Sequence, residues 1–460
     1  MRDYASTSYW LETCRDDLTP RPALDGSTRV DVAILGAGYT GLWTAYYLLK
    51  RAPSLRVAIV EQEIAGFGAS GRNGGWCSSK LNVGIDAVAA RHGVVAAKAL
   101  QRTLYDTVDE VGRICASERI DAGYARGGAL FLARGPEQMA GLEELAALYD
   151  RMGFGDRHRV LDAKGTEERI RVRGAIGSIA FSAYATLHPG RLVRGLARAV
   201  ERLGGRIYER TPVVGFAPGR APVLRTPYGE VRADTIVLAG EAYLTRLAPL
   251  HRALLPIYSL IVLTEPLSEA QWKEIGWRAR ECVASFRLTI DYLSRTDDGR
   301  ILFGGRGAPY HFGSSISDAY DRHEPTHAML RATAREWFPL LKDVRFTHAW
   351  GGPLGMPRDW MPNVLHDRAL GIATARGYTG HGVSSTNLAG RILADLITGT
   401  ASEITSLPMA GHRSPSWEPE PLRWLAVRYI QAAHGRIDVR AARSGRPPSG
   451  RTLAEWLSRP

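Results

Sequence analysis

The chain has 460 residues, beyond the roughly 250 to 300 at which a single hydrophobic core stops growing, so two or more domains are expected. With 45% hydrophobic and 23% charged residues the composition is that of a folded globular protein, which excludes general disorder. The net charge of +12 comes from Arg spread along the whole chain, not from a basic cluster with interleaved aromatics, so nucleic acid is not an expected partner.

No apolar run reaches the roughly 18 residues of a membrane-spanning helix, so no membrane is expected either. Met1 to Thr13 lacks an apolar signal-peptide core, and a cytoplasmic location is the expectation. Cys14, Cys77, Cys115 and Cys282 are far apart with no CxxC pair, which points to free thiols and to no zinc site.

In chain order, Val30 to Leu35 is a short apolar run of the kind expected of a buried parallel strand. Gly36, Gly38 and Gly41 follow at once, then apolar residues at helical spacing from Leu42 to Lys50, and a second apolar run from Val57 to Val60. This pattern predicts a βαβ unit. Helical patterns run from about Ile85 to Ile120 and from Pro136 to Met152, with a strand over Arg126 to Ala133 between them.

A further central strand is expected at Thr235 to Ala239, after short strands near Arg206 to Tyr208 and Val213 to Phe216. From Ile257 to Phe346 the pattern becomes β-rich, with strands expected at Tyr258 to Leu263, Phe286 to Leu293 and Arg300 to Gly304. Thr296-Asp297-Asp298-Gly299 suits a hairpin turn. Ala369 to Thr374 predicts a strand, and a helix from about Ser384 to Ile397 should stop at Gly399. The segment after residue 400 is rich in Arg, Pro and Trp and should form a wrapping tail with one or two helices.

Gly36, Gly38 and Gly41 between a strand and a helix form a dinucleotide fingerprint: a tight turn, a close approach for pyrophosphate, and close packing of helix on strand. Glu61 lies 20 residues after Gly41, at the end of the second strand, where a carboxylate can accept both ribose hydroxyls of an adenosine. Directly beyond it, Gly66 to Gly75 is dense enough in Gly for backbone amides to surround a large planar ring and its phosphates, with Arg72 adding charge. Gly377-Tyr378-Thr379-Gly380-His381-Gly382-Val383 then supplies a helix N-terminus, whose partial positive charge suits an anion on a reduced flavin.

These segments carry a resemblance to the D-amino-acid oxidase-like family of FAD-dependent oxidoreductases, from about Val30 to Gly399. Its most specific parts are 30–41, 69–75, 298–306 and 377–382; the GlyArgAsnGlyGly and GlyGlyArg forms are most similar to the gamma-glutamylputrescine oxidase branch. The resemblance implies an α/β fold: a Rossmann-like FAD-binding domain from discontinuous segments (29–85, 185–255 and 346–400) and an α+β substrate domain with a large antiparallel sheet (86–184 and 256–345). Residues 401–460 would form the tail.

Carried over residue by residue, it implies Gly36, Gly38, Tyr39, Thr40, Gly41 and Glu61 at the adenosine and pyrophosphate, and Gly68, Ala69, Ser70, Gly71, Arg72, Asn73, Gly74 and Gly75 along the flavin. Val213 would lie beside the adenine, Gly240 would also meet the cofactor, and Gly380, His381, Gly382 and Val383 would meet the pyrimidine side of the ring. Covalent attachment in the family often uses a C-terminal Cys; here every Cys precedes residue 283, which implies non-covalent FAD.

The implied activity is oxidation of a C–N bond in a small amine or amino-acid-like substrate, with O₂ or another acceptor reoxidising the flavin. A flavin-dependent tailoring oxidase or monooxygenase, and a protein using FAD structurally, are the alternatives. The family's carboxylate-binding Arg is replaced by Leu354, so a simple α-amino acid has lost its clamp. Arg306, or else Arg358, could replace it, since only Arg gives the fork geometry. Tyr258, Tyr292, Tyr310, Trp350 and Tyr378 are candidate pocket walls, and His381 and His311 could orient substrate. A family Lys can activate O₂ above the flavin; Lys80 and Lys273 have no assigned place in sequence.

Overall fold

The computed structural model describes residues 2–305 and 309–458. Arg306, the first choice for a substrate-binding cation, lies outside the described residues.

A six-stranded sheet runs in the order Asn363–Asp367, Ile372–Arg376, Thr235–Leu238, Val32–Leu35, Val57–Val60, Arg206–Tyr208. All its pairings are parallel except that of the outermost Asn363–Asp367. Val32–Leu35 and Val57–Val60 are uninterrupted apolar runs, and Thr235–Leu238 is apolar after Thr235, because both faces are covered. Helices Tyr39–Arg51 and Gly382–Thr398 cover one face, so close together that a Cβ on Gly390 would stand 2.7 Å from Cβ of Trp43. On the other face, Ala33, Ala58, Val60, Ile236 and Leu238 pack against Leu224 and Val231 of a four-stranded sheet.

The second large sheet has eight strands: Phe346–Met356, Leu255–Thr264, Ile301–Gly305, Asp291–Arg295, Cys282–Ser285, Ala129–Ala133, Gly177–Phe181 and His158–Asp162. It is antiparallel apart from the parallel pair Cys282–Ser285 with Ala129–Ala133. Helix Glu324–Trp337 closes its back through Leu330, Ala334 and Trp337. A register row crosses five strands: Phe131, Ala284, Tyr292, Gly304 and Ile261 are successive cross-strand partners. In a pleated sheet such partners share one face.

Three expectations are corrected. Phe346–Met356 falls within the segment given to the first domain, yet it pairs along Leu255–Thr264 in the eight-stranded sheet. Phe286 to Leu293 is not one strand: Cys282–Ser285 and Asp291–Arg295 pair with each other, and 286–290 is their connection. The helical stretch from Ile85 is two helices, Ile85–His92 and Val94–Ser117, divided at Gly93, whose φ of +85° breaks the helical path. The hairpin turn forms as expected, with Thr296 N–H donating to the Arg300 carbonyl at 3.0 Å. The tail holds helix Leu422–Ser444 and a short helix Leu453–Leu457. Among the described residues no helix is long and apolar enough to cross a membrane.

Candidate functional site

A cavity of about 810 Å³ is walled by residues of both large sheets and of the segments between them. Its volume lies in the upper part of the roughly 300 to 1,000 Å³ range of ligand pockets.

Glu61 lines it just past strand Val57–Val60. Its carboxylate accepts the N–H groups of Ala37 (2.8 Å) and Glu63 (3.0 Å). Burial pushes its pKa up from 4.5 to about 7, against the lowering effect of those two bonds. Beside it the chain turns at Gly36, whose φ of +100° and 2.9 Å approach of a built Cβ to the Ala239 carbonyl oxygen leave no room for a side chain. Gly38 then caps helix Tyr39–Arg51 without a side-chain bond, and Ser70 Oγ accepts the Tyr39 N–H at 2.8 Å.

Arg72 is buried on the cavity wall and paired with Asp321; its Nε donates to the Phe67 carbonyl at 2.7 Å. Its Nη2 finds no protein partner, so the wall carries a donor that the protein itself leaves unpaired. Asp321 is pushed up to about 7 by burial, with the Arg72 charge opposing.

Helix Gly382–Thr398 also begins at the cavity. Gly380, His381, Gly382 and Val383 line the cavity there, and the His381 ring meets Ser78 Oγ at 2.8 Å and Asn82 Oδ1 at 3.2 Å. Part of the wall comes from the register row, Phe131, Ala284, Tyr292 and Ile261, and Trp76, Ile290 and Leu354 line the cavity too. Tyr292 OH lies 2.9 Å from Ser259 Oγ. Lys80 also lines the cavity, its Nζ 5.4 Å from the centre of the Phe131 ring.

Most of the sequence candidates meet on this cavity: Gly36, Gly38, Tyr39, Thr40, Glu61, Gly68, Ala69, Ser70, Arg72, Asn73, Gly74, Val213, Gly240, and 380–383. Gly41, Gly71 and Gly75 do not line it. Built Cβ atoms there would stand 2.0 Å from the Gly36 oxygen, 2.3 Å from the Gly66 oxygen and 2.5 Å from the Leu187 oxygen, so these glycines permit backbone packing behind the wall.

Tyr258 and Tyr378 line the cavity with engaged hydroxyls: Tyr258 OH accepts the Ser317 N–H at 3.1 Å, and Tyr378 OH accepts from Thr40 Oγ1 at 3.1 Å. Tyr310, Trp350 and His311 lie off it, and Arg358 is paired with Glu418 at 3.1 Å, also away from it. Lys273 is exposed, on helix Glu269–Ile275.

Sequence reasoning missed Trp76, Asn82, Phe131, Ile290 and Glu241. Glu241 accepts the N–H groups of Gly377 (2.9 Å) and Gly355 (3.2 Å), tying two Gly-rich segments together, and burial pushes it up to about 7. The one local signal for it is an acid directly after the strand and Gly240.

The lining groups fit a long dinucleotide: a buried carboxylate, a Gly-capped helix N-terminus, an unpaired guanidinium N–H and a second helix N-terminus. The sequence profile of the family described as FAD dependent oxidoreductase (DAO) matches residues 31–396. Gamma-glutamylputrescine oxidoreductase of Escherichia coli (strain K12) is 30% identical over 408 residues, covering 88% of this chain and 92% of that protein. A probable oxidoreductase, OrdL, of Rhizobium meliloti (strain 1021) is 30% identical over 412 residues, covering 86% of this chain and 90% of that protein. Glycine oxidase from Geobacillus kaustophilus superposes with a TM-score of 0.67 at 22% identity, covering 84% of this chain and 99% of that one. With the profile spanning most of its length, the chain belongs to the DAO family and is a FAD-dependent oxidoreductase.

Proposed function

We propose that this enzyme oxidises a C–N bond of an amine or amino-acid-like substrate at the end of the cavity walled by Trp76, Phe131, Ile290 and Tyr292. One observation carries the proposal: this largely apolar, aromatic wall and the N-terminus of helix Gly382–Thr398 line the same cavity. The name of the Escherichia coli relative, which specifies an amine, supports it.

In this reading FAD binds without a covalent link, its adenosine between Glu61 and Val213. The ribose hydroxyls donate to Glu61, which favours the ionised carboxylate. Gly36, Gly38 and Ser70 flank the pyrophosphate at the start of helix Tyr39–Arg51, where the amide dipoles favour phosphate. When bound, FAD supplies a hydride acceptor for a carbon next to nitrogen, and the resulting imine hydrolyses in water.

The protein's own groups prepare that step. An ammonium cannot release a hydride from its neighbouring carbon, and the aromatic wall disfavours the charged amine by excluding water. Tyr292 and Ser259 offer hydroxyls to orient the substrate. The start of helix Gly382–Thr398 offers N–H groups to negative charge at that end of the cavity. The experiment is an anaerobic panel of primary and secondary amines with and without carboxylates, followed by air. Bleaching of the flavin by at least one amine is expected. A flavin that dithionite bleaches but no amine does would overturn the proposal.

A further inference from the structure

The family match ends at residue 396, yet helix Leu422–Ser444 reaches back to a connection whose last residue, Ile290, lines the cavity. The carboxylate of Asp438 accepts the N–H of Leu288 (3.1 Å), the N–H of Thr289 (2.9 Å) and the hydroxyl of Thr289 (2.5 Å). These donors belong to the 286–290 connection between strands Cys282–Ser285 and Asp291–Arg295. Amides beyond the ends of a strand pair have no ladder partner and must find one elsewhere. Here the partner is a side chain about 150 residues further along.

The base of the same connection is fixed separately. Arg287 pairs with Asp291, and the Asp291 N–H donates to Ser285 Oγ at 3.1 Å. Ile290, its last residue, lines the cavity two residues before Tyr292. A second carboxylate near the start of the helix makes a parallel attachment: Glu420 accepts the Tyr310 hydroxyl (2.8 Å) and the Gly313 N–H (3.0 Å). That segment continues to Ile316 and Ser317, which also line the cavity.

We propose that Asp438 is a positioning residue for the substrate end of the cavity. It holds the 286–290 connection so that Ile290 completes the wall, and the C-terminal helix thereby sets substrate affinity without touching substrate. The idea rests on the amine-oxidising reading for its kinetic consequence and on the structure alone for the clamp.

The test uses full-length holoenzyme carrying Asp438→Ala, with Asp438→Glu as the conservative variant and Thr289→Val to weaken the contact from the other side. Hydrogen exchange at Leu288 and Thr289 should rise in Asp438→Ala, and KM for a bleaching amine should rise roughly tenfold, the scale of one hydrogen bond to a charged group. The limiting rate of anaerobic flavin reduction and the FAD content should stay at wild-type level, with partial recovery in Asp438→Glu. Thr289→Val should show the same pattern more weakly.

Unchanged exchange and unchanged KM would overturn the proposal. So would equal losses of FAD, melting temperature and reduction rate in all three variants, which would make the helix general scaffold. If no amine bleaches the wild-type flavin while exchange at the two amides rises in the variant, the amine reading fails and the clamp stands.

Discussion

The ring of Tyr292 lies across Gly304, its cross-strand partner, so closely that a Cβ on that glycine would stand 2.2 Å from it. A Cβ on Gly74 would stand 2.6 Å from the same ring. Gly304→Ala must therefore displace the ring from the cavity wall. We expect kcat/KM for a bleaching amine to fall by about a hundredfold with FAD content retained, the scale of misplacing a substrate-positioning group by about 1 Å. Tyr292→Phe removes the contact with Ser259 and should cost less, about tenfold. Steady-state kinetics on both variants checks the order; a larger loss in Tyr292→Phe would contradict it.

Glu61 ties stability to pH. Its pKa of about 7 in the folded protein stands above the ordinary 4.5 of an unfolded chain. Between those values the native state holds a proton that the unfolded chain has released, so the carboxyl's contribution to stability falls as pH rises. In apoprotein, the melting-temperature difference between Glu61→Gln and wild type should shift in the variant's favour as pH rises from about 5 to about 8. Scanning fluorimetry across that range reads it, and a constant difference would refute it.

Asp321 compensates a buried guanidinium, since Arg72 is 3% exposed. Removing one partner of a buried pair typically costs about 3 to 5 kcal/mol because the other charge is stranded. Asp321→Ala should lower the melting temperature and denaturant midpoint accordingly. Arg72→Met with Asp321→Ala, which strands no charge, should recover a large part of that loss. Equilibrium urea unfolding of the wild type and the two variants distinguishes the pair from a bystander contact.

All four cysteines are buried and none lines the cavity. Acid precipitation should therefore leave FAD in a yellow supernatant and a colourless pellet. Flavin fluorescence retained on the denatured polypeptide would contradict non-covalent binding.

The glycine turn, Glu61 and the second glycine loop were legible because their chemistry is local: a strand, a turn and a helix within about 30 residues dictate where the backbone amides go. The substrate end was not. Phe131, Ala284, Tyr292 and Ile261 meet only through cross-strand register, which no local pattern records. Phe346–Met356 was missed because Gly351, Gly352, Pro353 and Gly355 dilute the β pattern. Those residues are tolerated because the strand pairs along its length with Leu255–Thr264 and buries Trp350 and Met356. Arg72 was legible as a charge beside the glycine loop, but its partner Asp321 lies far along the chain.

The six-stranded sheet draws its strands from Val32 through Arg376, with the central Thr235–Leu238 bordered by the first strand and by one of the last. During synthesis the N-terminal strand–turn–helix and its neighbour Val57–Val60 therefore emerge long before Thr235–Leu238, the partner on the other side of Val32–Leu35. For most of translation they present an apolar strand edge and an exposed Trp43 that Gly390 will eventually cover. Long-range pairing of this kind is slow and prone to association. The dinucleotide cradle is thus a late product of folding, and a truncated chain ending before Ile372 should accumulate as aggregate instead of as a smaller yellow protein.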